Sequence, residues 1–240
     1  MELLDILYTP LDLPPPPKVD INELQAWMDE NKETIHAVNM HAYDIELCLC
    51  QHKKIVWPWD HSFAHYNWNN EGPGWIGNFD TRFPALSKYM YEVFDIPLEE
   101  LGNIVILPIK TKHKGYGFLH ADPGDFGLRI YLEFENIGQN KLFIQKTKEP
   151  YEHNIWPIEY PVDPNLLQPE EIECKTLSPQ SCWFINNARA FHRTYTEVEN
   201  SNRIAVIVSG TWYGEKPVID RMKDKIIASA EKYKDYAIFW

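Results

Sequence analysis

Three observations predict a mainly β fold with flanking helices, arranged as a double-sheet jelly roll or barrel. From Ile104 onwards short apolar runs recur, alternating or continuous and separated by turn residues, which is the pattern of strands. Helical spacing is confined to the segments before and after that run. The chain has 240 residues, enough for one substantial core, and all-β barrels of this size are routinely single units. The expected organisation is one domain over 1–240. An N-terminal helical and extended elaboration (1–100) precedes a core of strands (103–212) and a C-terminal helix (216–236).

Composition excludes several classes. Thirty-five acidic residues against 23 basic give a net charge of −12. No Lys/Arg cluster exceeds a pair, so binding nucleic acid by neutralising phosphates is not expected. The leading Met1-Glu-Leu-Leu-Asp5 lacks a basic region followed by an apolar run, so no signal peptide is expected. The longest apolar runs are far below the roughly 20 residues of a membrane span. No membrane partner is expected, and the location by default is cytoplasmic. Cys48 and Cys50 fall on one side of a strand, and neither they nor Cys174 and Cys182 form a CxxC motif. They read as buried or free thiols of a reducing compartment. The oligomeric state is not legible.

In chain order, residues 3–19 read as an extended leading segment ending in Pro14–Pro17, a stiff spacer pinned to the surface rather than a packed strand. Asp20 is a candidate N-cap, with Glu23 completing a capping box before a helix through Leu24, Trp27 and Met28. Residues 35–56 look like strand material. The aromatic stretch 57–79 reads as an irregular loop, either packed on itself or lying over a site. Within it His61 and His65 have zinc-ligand spacing if helical, which Pro58 and the Gly/Asn surroundings oppose. Phe83–Phe94 is the clearest helix, with Phe83, Leu86, Met90, Val93 and Phe94 on one face and Pro97 beyond its end.

Strand signals then take over. Leu128–Phe134 alternates cleanly, Asn136–Asn140 is a turn, and Lys141–Gln145 reads as the returning strand of a hairpin. Residues 149–170 carry five prolines and read as a long loop. Further strands are expected at 172–176, 181–185 and 204–209. The spacing of Val218, Met222, Ile226, Ala230 and Tyr233 predicts the closing helix.

The chemistry gathers around Tyr116-Gly-Phe-Leu-His-Ala-Asp122. Read as a strand, it puts His120 and Asp122 on one face, so an imidazole and a carboxylate converge as two metal ligands must. An HxD alone is common and weak. A third ligand is available in His192, and two His with one carboxylate is the facial set of non-haem Fe(II) oxygenases, leaving positions open. Arg203 opens the apolar run Ile204–Val208. If Ile204, Val206 and Val208 face the outer layer, Arg203 points into the barrel, where an unpaired guanidinium would be costly and a carboxylate is its natural partner. Arg129 alternates in the same sense. Taken singly, most histidines are hydrogen-bonded core or surface residues. The ordered set satisfies ligand count, geometry and co-substrate charge together.

These residues resemble those of Fe(II)/2-oxoglutarate-dependent dioxygenases, and within that superfamily the chain is similar to the aspartyl/asparaginyl β-hydroxylase-like group, which also contains proline hydroxylases. The matching features are His120-Ala-Asp122, Arg129-Ile-Tyr-Leu, Trp183-Phe-Ile-Asn-Asn187, His192 and Arg203, over roughly 103–212. The resemblance implies a double-stranded β-helix of cupin type, with His120, Asp122 and His192 holding Fe(II). It implies that Arg203 binds the distal carboxylate of 2-oxoglutarate and that Arg129 contacts co-substrate or substrate. Tyr131 stands where relatives can carry a second polar co-substrate contact such as His. The carboxylate of Asp122 favours hydroxylation over halogenation, with O₂ consumed and succinate and CO₂ released. The substrate implied is an amino acid, free or as a peptide or protein side chain. The competing reading is a jelly-roll metal-binding protein that is non-catalytic or independent of 2-oxoglutarate. Loss of function in Arg203→Ala separates the two.

Overall fold

The computed structural model describes residues 1–31, 62–66, 74–75, 78–95, 104–111, 115–116, 128–133, 140–146, 171–175, 177, 182–186, 190–197, 201–209 and 216–240. Twelve strands run through them in chain order. They are β1 (Ile6–Pro10), β2 (Ser62–Tyr66), β3 (Gly74–Trp75), β4 (Ile104–Thr111), β5 (Gly115–Tyr116) and β6 (Leu128–Glu133), then β7 (Asn140–Lys146), β8 (Glu171–Cys174), β9 (Cys182–Asn186), β10 (Ala190–Thr196), β11 (Ser201–Ser209) and β12 (Ile238–Phe239). The helices are α1 (Ile21–Glu30), α2 (Phe79–Arg82), α3 (Pro84–Phe94) and α4 (Lys216–Lys232). The protein is thus mainly sheet with flanking helices. The expected strand material at 35–56 and the loop at 149–170, apart from its neighbour β8, lie outside the described residues.

Two antiparallel sheets form. The larger has the order β12-β1-β9-β6-β11-β4-β2-β3 and the smaller β5-β10-β7-β8. This overturns the expected hairpin of residues 128–145. β6 pairs with β9 and β11 in the large sheet, whereas β7 pairs with β8 and β10 in the small one. The two strands therefore belong to different sheets and do not pair with each other.

The leading segment is likewise not a surface spacer throughout. Ile6–Pro10 is an interior strand, buried along its whole length between β9 and β12. After it the proline stretch only partly follows the expectation: Pro14 and Pro15 are exposed but Pro16 is buried, and Tyr89 Oη donates to the Pro14 carbonyl at 2.6 Å and pins the segment. Part of the aromatic stretch 57–79 is also strand, because β2 pairs with β4 and with β3. His65 is therefore in extended backbone, which removes the helical spacing that a His61–His65 zinc pair required.

Register defines which residues share a face. One face of the large sheet carries Tyr8, Trp183 and Ile185. Tyr8 Oη donates to the carbonyl of Lys175, just past β8, at 3.0 Å, so this face looks toward the small sheet. The opposite face carries Cys182, whose Sγ lies 3.1 Å from Tyr89 Oη on α3, and so looks toward the helices. On the small sheet Ile144, Ala190 and Cys174 belong to the same buried cluster as Trp183 and Ile185, making theirs the inner face. β9, covered on both sides, is buried at all five positions.

The helices form for local reasons. Asp20 caps α1 by accepting from the Asn22 and Glu23 amides. Glu23, expected to complete a capping box, has its carboxylate 3.6 Å from Arg82 Nε instead. Pro84 occupies the first turn of α3, where its missing N–H costs nothing, and Asp95 ends the helix in the left-handed region at φ 52°. Lys225 and Arg221 of α4 donate to the carbonyls of Val93 and Asp95, so cations meet the negative end of α3. Met222, Ile226 and Ala230, the predicted stripe of α4, are fully buried. The helix stops at Lys232, and the predicted last turn is a separate turn leading into β12.

Candidate functional site

His192 sits on β10 opposite Ile144 of β7 and shares the inner face with Ala190. At 6% exposure it is a core residue, which removes the surface histidine reading. The other two predicted metal ligands, His120 and Asp122, lie outside the described residues. Among the described residues no three His, Cys, Asp or Glu side chains cluster as a metal site.

Arg129 and Tyr131 of β6 and Arg203 of β11 take register positions on one face of the large sheet. Arg129 is opposite Ile185 and Ser209, Tyr131 is opposite Trp183 and Ile207, and Arg203 is an even number of residues from both β11 partners. These are therefore positions of the face that Trp183 and Ile185 turn toward the small sheet. Ile204, Val206 and Val208 fall on the other face. His192 and the positions of Arg129, Tyr131 and Arg203 thus belong to the two inner faces that look at one another across the sandwich.

Trp183 is on the inner face, its ring 6.0 Å from that of Tyr8. Asn186 alternates to the face that Cys182 shares. It is fully buried, and among the described residues nothing hydrogen-bonds to its carboxamide.

Sequence reasoning missed the residue that follows His192. Arg193 alternates to the outer face of the small sheet, where its Nε and Nη2 donate to the two carboxylate oxygens of Glu171, each at 2.6 Å. The side chains are 3% and 0% exposed. In the sequence Glu171 shares an ordinary polar strand face with Glu173 and gives no signal of burial, and only the pairing of β8 with β7 and of β7 with β10 brings the charges together.

Among the described residues the cysteines, Cys174 and Cys182, are buried free thiols. Tyr89 has one hydroxyl proton, and the short bond to Pro14 uses it, so the Cys182 thiol is the donor between the two. Burial pushes the Cys182 thiol up to about 12 and the Cys174 thiol upward as well. In the unfolded chain a thiol ionises near 9.0. Above that pH the unfolded state binds fewer protons than the folded state, so stability falls as pH rises from about 9 toward about 12. Urea titrations at neutral pH and at increasing alkalinity should show this loss, and Cys182→Ala should shrink it.

No protein-family model matches the chain, and no curated protein does. Among solved structures it is similar to a prolyl hydroxylase from Trichoplax adhaerens in complex with a peptide fragment of the hypoxia inducible factor oxygen degradation domain. That likeness has 11% identity and a TM-score of 0.36, covering 78% of this chain and 76% of that one. It is also similar to a Pseudomonas putida prolyl-4-hydroxylase, at 5% identity and a TM-score of 0.32, covering 83% and 90%. At these scores neither likeness bears weight for function. Among the described residues no helix is long and apolar enough to cross a membrane.

Proposed function

We propose that this chain is an Fe(II)- and 2-oxoglutarate-dependent oxygenase of the aspartyl/asparaginyl β-hydroxylase-like group. It hydroxylates an unactivated C–H bond of an amino acid or of a peptide or protein side chain. The observation that carries the reading is the antiparallel register of Tyr116 with Tyr195. It means that β5 leaves Tyr116 running toward the His192 end of β10. His120 follows four residues later, roughly 13 Å of extended chain, and His192 lies three residues back from Tyr195, roughly 10 Å along its strand. That direction of the chain supports a common site for the HxD motif and His192. On the facing sheet the inner positions are those of Arg129, Tyr131 and Arg203.

A buried imidazole between two sheets, with arginine positions opposite and a His and a carboxylate following β5 in the sequence, fits Fe(II) and a dicarboxylate co-substrate. His120, Asp122 and His192 would hold the metal. Arg203 would take the distal carboxylate of 2-oxoglutarate through its planar fork, and Arg129 and Tyr131 would contact co-substrate or substrate. Bound there, Fe(II) and 2-oxoglutarate supply the activation of O₂ and the oxidation of the C–H bond, releasing succinate and CO₂. The chain's own contribution is to hold these groups, orient the substrate and exclude water. Trp183 and Ile185, on the inner face, serve the last of these.

Anaerobic titration of the apo-protein with Fe(II) and 2-oxoglutarate tests the reading. A weak visible charge-transfer band is expected. It should be absent in His192→Ala and His120→Ala, and Arg203→Ala should require far more 2-oxoglutarate to develop it. Fe(II) binding without a band would replace the oxygenase with a metal protein that does not use 2-oxoglutarate. No Fe(II) binding at all would end the enzyme reading.

A further inference from the structure

We propose that the buried Arg193–Glu171 pair is a positioning device for His192, an inference that rests on His192 being a metal ligand. Arg193 is opposite Phe143 on β7, and Glu171 is opposite Gln145 on the same strand. The pair therefore passes over β7 and ties β10 to β8, two strands not paired with each other. Successive residues of a strand point to opposite faces. The guanidinium is thus anchored on the outer face by two 2.6 Å bonds while the adjacent imidazole occupies the inner face.

Stability alone does not explain such a pair. Two desolvated charges are commonly matched or outdone by apolar side chains of similar volume. A bidentate fork supplies orientation, because two parallel bonds to a planar group fix its direction as well as its distance. Held at the Arg193 side chain, the intervening peptide of β10 cannot roll, and the Cα–Cβ direction of His192 is set with it. A metal ligand needs that constraint, since productive geometry tolerates displacements of only about 0.5 Å. Phe143, also buried on the outer face, packs the strand that the pair crosses.

The test is the double variant Arg193→Met/Glu171→Leu, which removes both charges and keeps the volume. Two properties are measured: heat unfolding of the metal-free protein, and Fe(II) affinity with the position of the charge-transfer band in the anaerobic 2-oxoglutarate titration. The expected result is an unchanged or higher melting temperature, Fe(II) affinity lowered about 10- to 100-fold, and a displaced band. A folded double variant with wild-type affinity and band overturns the inference and leaves the pair a packing feature. Should the double variant not fold, Arg193→Lys, which keeps the charge but not the fork, decides the matter by the same readouts. Weakened Fe(II) binding at an intact melting temperature supports the proposal, and unchanged binding overturns it. A wild-type protein that shows no band fails the oxygenase reading itself, an outcome visible before any variant is made.

Discussion

Glu171→Ala should lower the unfolding free energy by about 3–5 kcal/mol, the cost of breaking a buried ion pair by removing one member. Arg193 is 3% exposed and donates two hydrogen bonds to one carboxylate. Truncation leaves a guanidinium, which cannot shed its proton, in a place from which water is excluded. That distinguishes it from the surface pairs of this protein, such as Lys88 with Glu92 on α3, where both side chains are more than half exposed and removal should cost within about 1 kcal/mol. Urea unfolding of Glu171→Ala and Glu92→Ala under one buffer compares the two directly. Equal small losses would mean that Arg193 finds another partner or reaches solvent.

Trp27→Ala should cost a similar amount, about 3–5 kcal/mol, for a different reason. Trp27 is 1% exposed and sits at the centre of an aromatic cluster that joins α1 to α2 and α3. Its ring meets Phe79 edge-on at 5.0 Å and Phe83 at 6.4 Å, and Phe79 in turn stacks on Trp75 of β3 at 5.5 Å. Truncation removes a full indole from this cluster and leaves a cavity where it stood. The ring pairs themselves add about 0.5–1.5 kcal/mol each beyond area burial. Trp27→Phe, which keeps part of the volume and the edge-on contact, should lose clearly less. Chemical unfolding followed by circular dichroism gives both numbers.

The parts of the fold that were legible in the sequence are those whose two sides meet different surroundings. α3 and α4 show a clear apolar stripe because each has a wet face, and their extents were read to within a few residues. β1 was hidden because both of its sides are buried, so Ile6-Leu7-Tyr8 shows no alternation and the prolines that follow dominate the reading. β10 was hidden for the opposite reason. Its His, Arg and Thr residues look like loop chemistry, and only the inner-face burial of His192 and the carboxylate beneath Arg193 make that composition compatible with a strand. The false hairpin over 128–145 came from reading the turn signal of Asn136–Asn140 as a reversal between paired strands. Nothing in the local sequence of such a turn distinguishes return to the same sheet from transfer to the other. Of the candidate site, the inner-face parity of Arg129, Tyr131 and Arg203 followed from alternation alone, whereas the brace behind His192 depends on contacts across three strands.

β1 has a consequence for how the protein is made. Its neighbours, β9 and β12, lie far along the chain and are synthesised well after it. Until they emerge, Ile6, Leu7 and Tyr8 must wait as an apolar strand with two unsatisfied edges, and the long loop that finally closes on them carries an entropic cost. Slow, late completion of the large sheet is the kinetic signature to expect. In that interval the N-terminal strand is where a holding chaperone would act, or where two nascent chains would join by mistake.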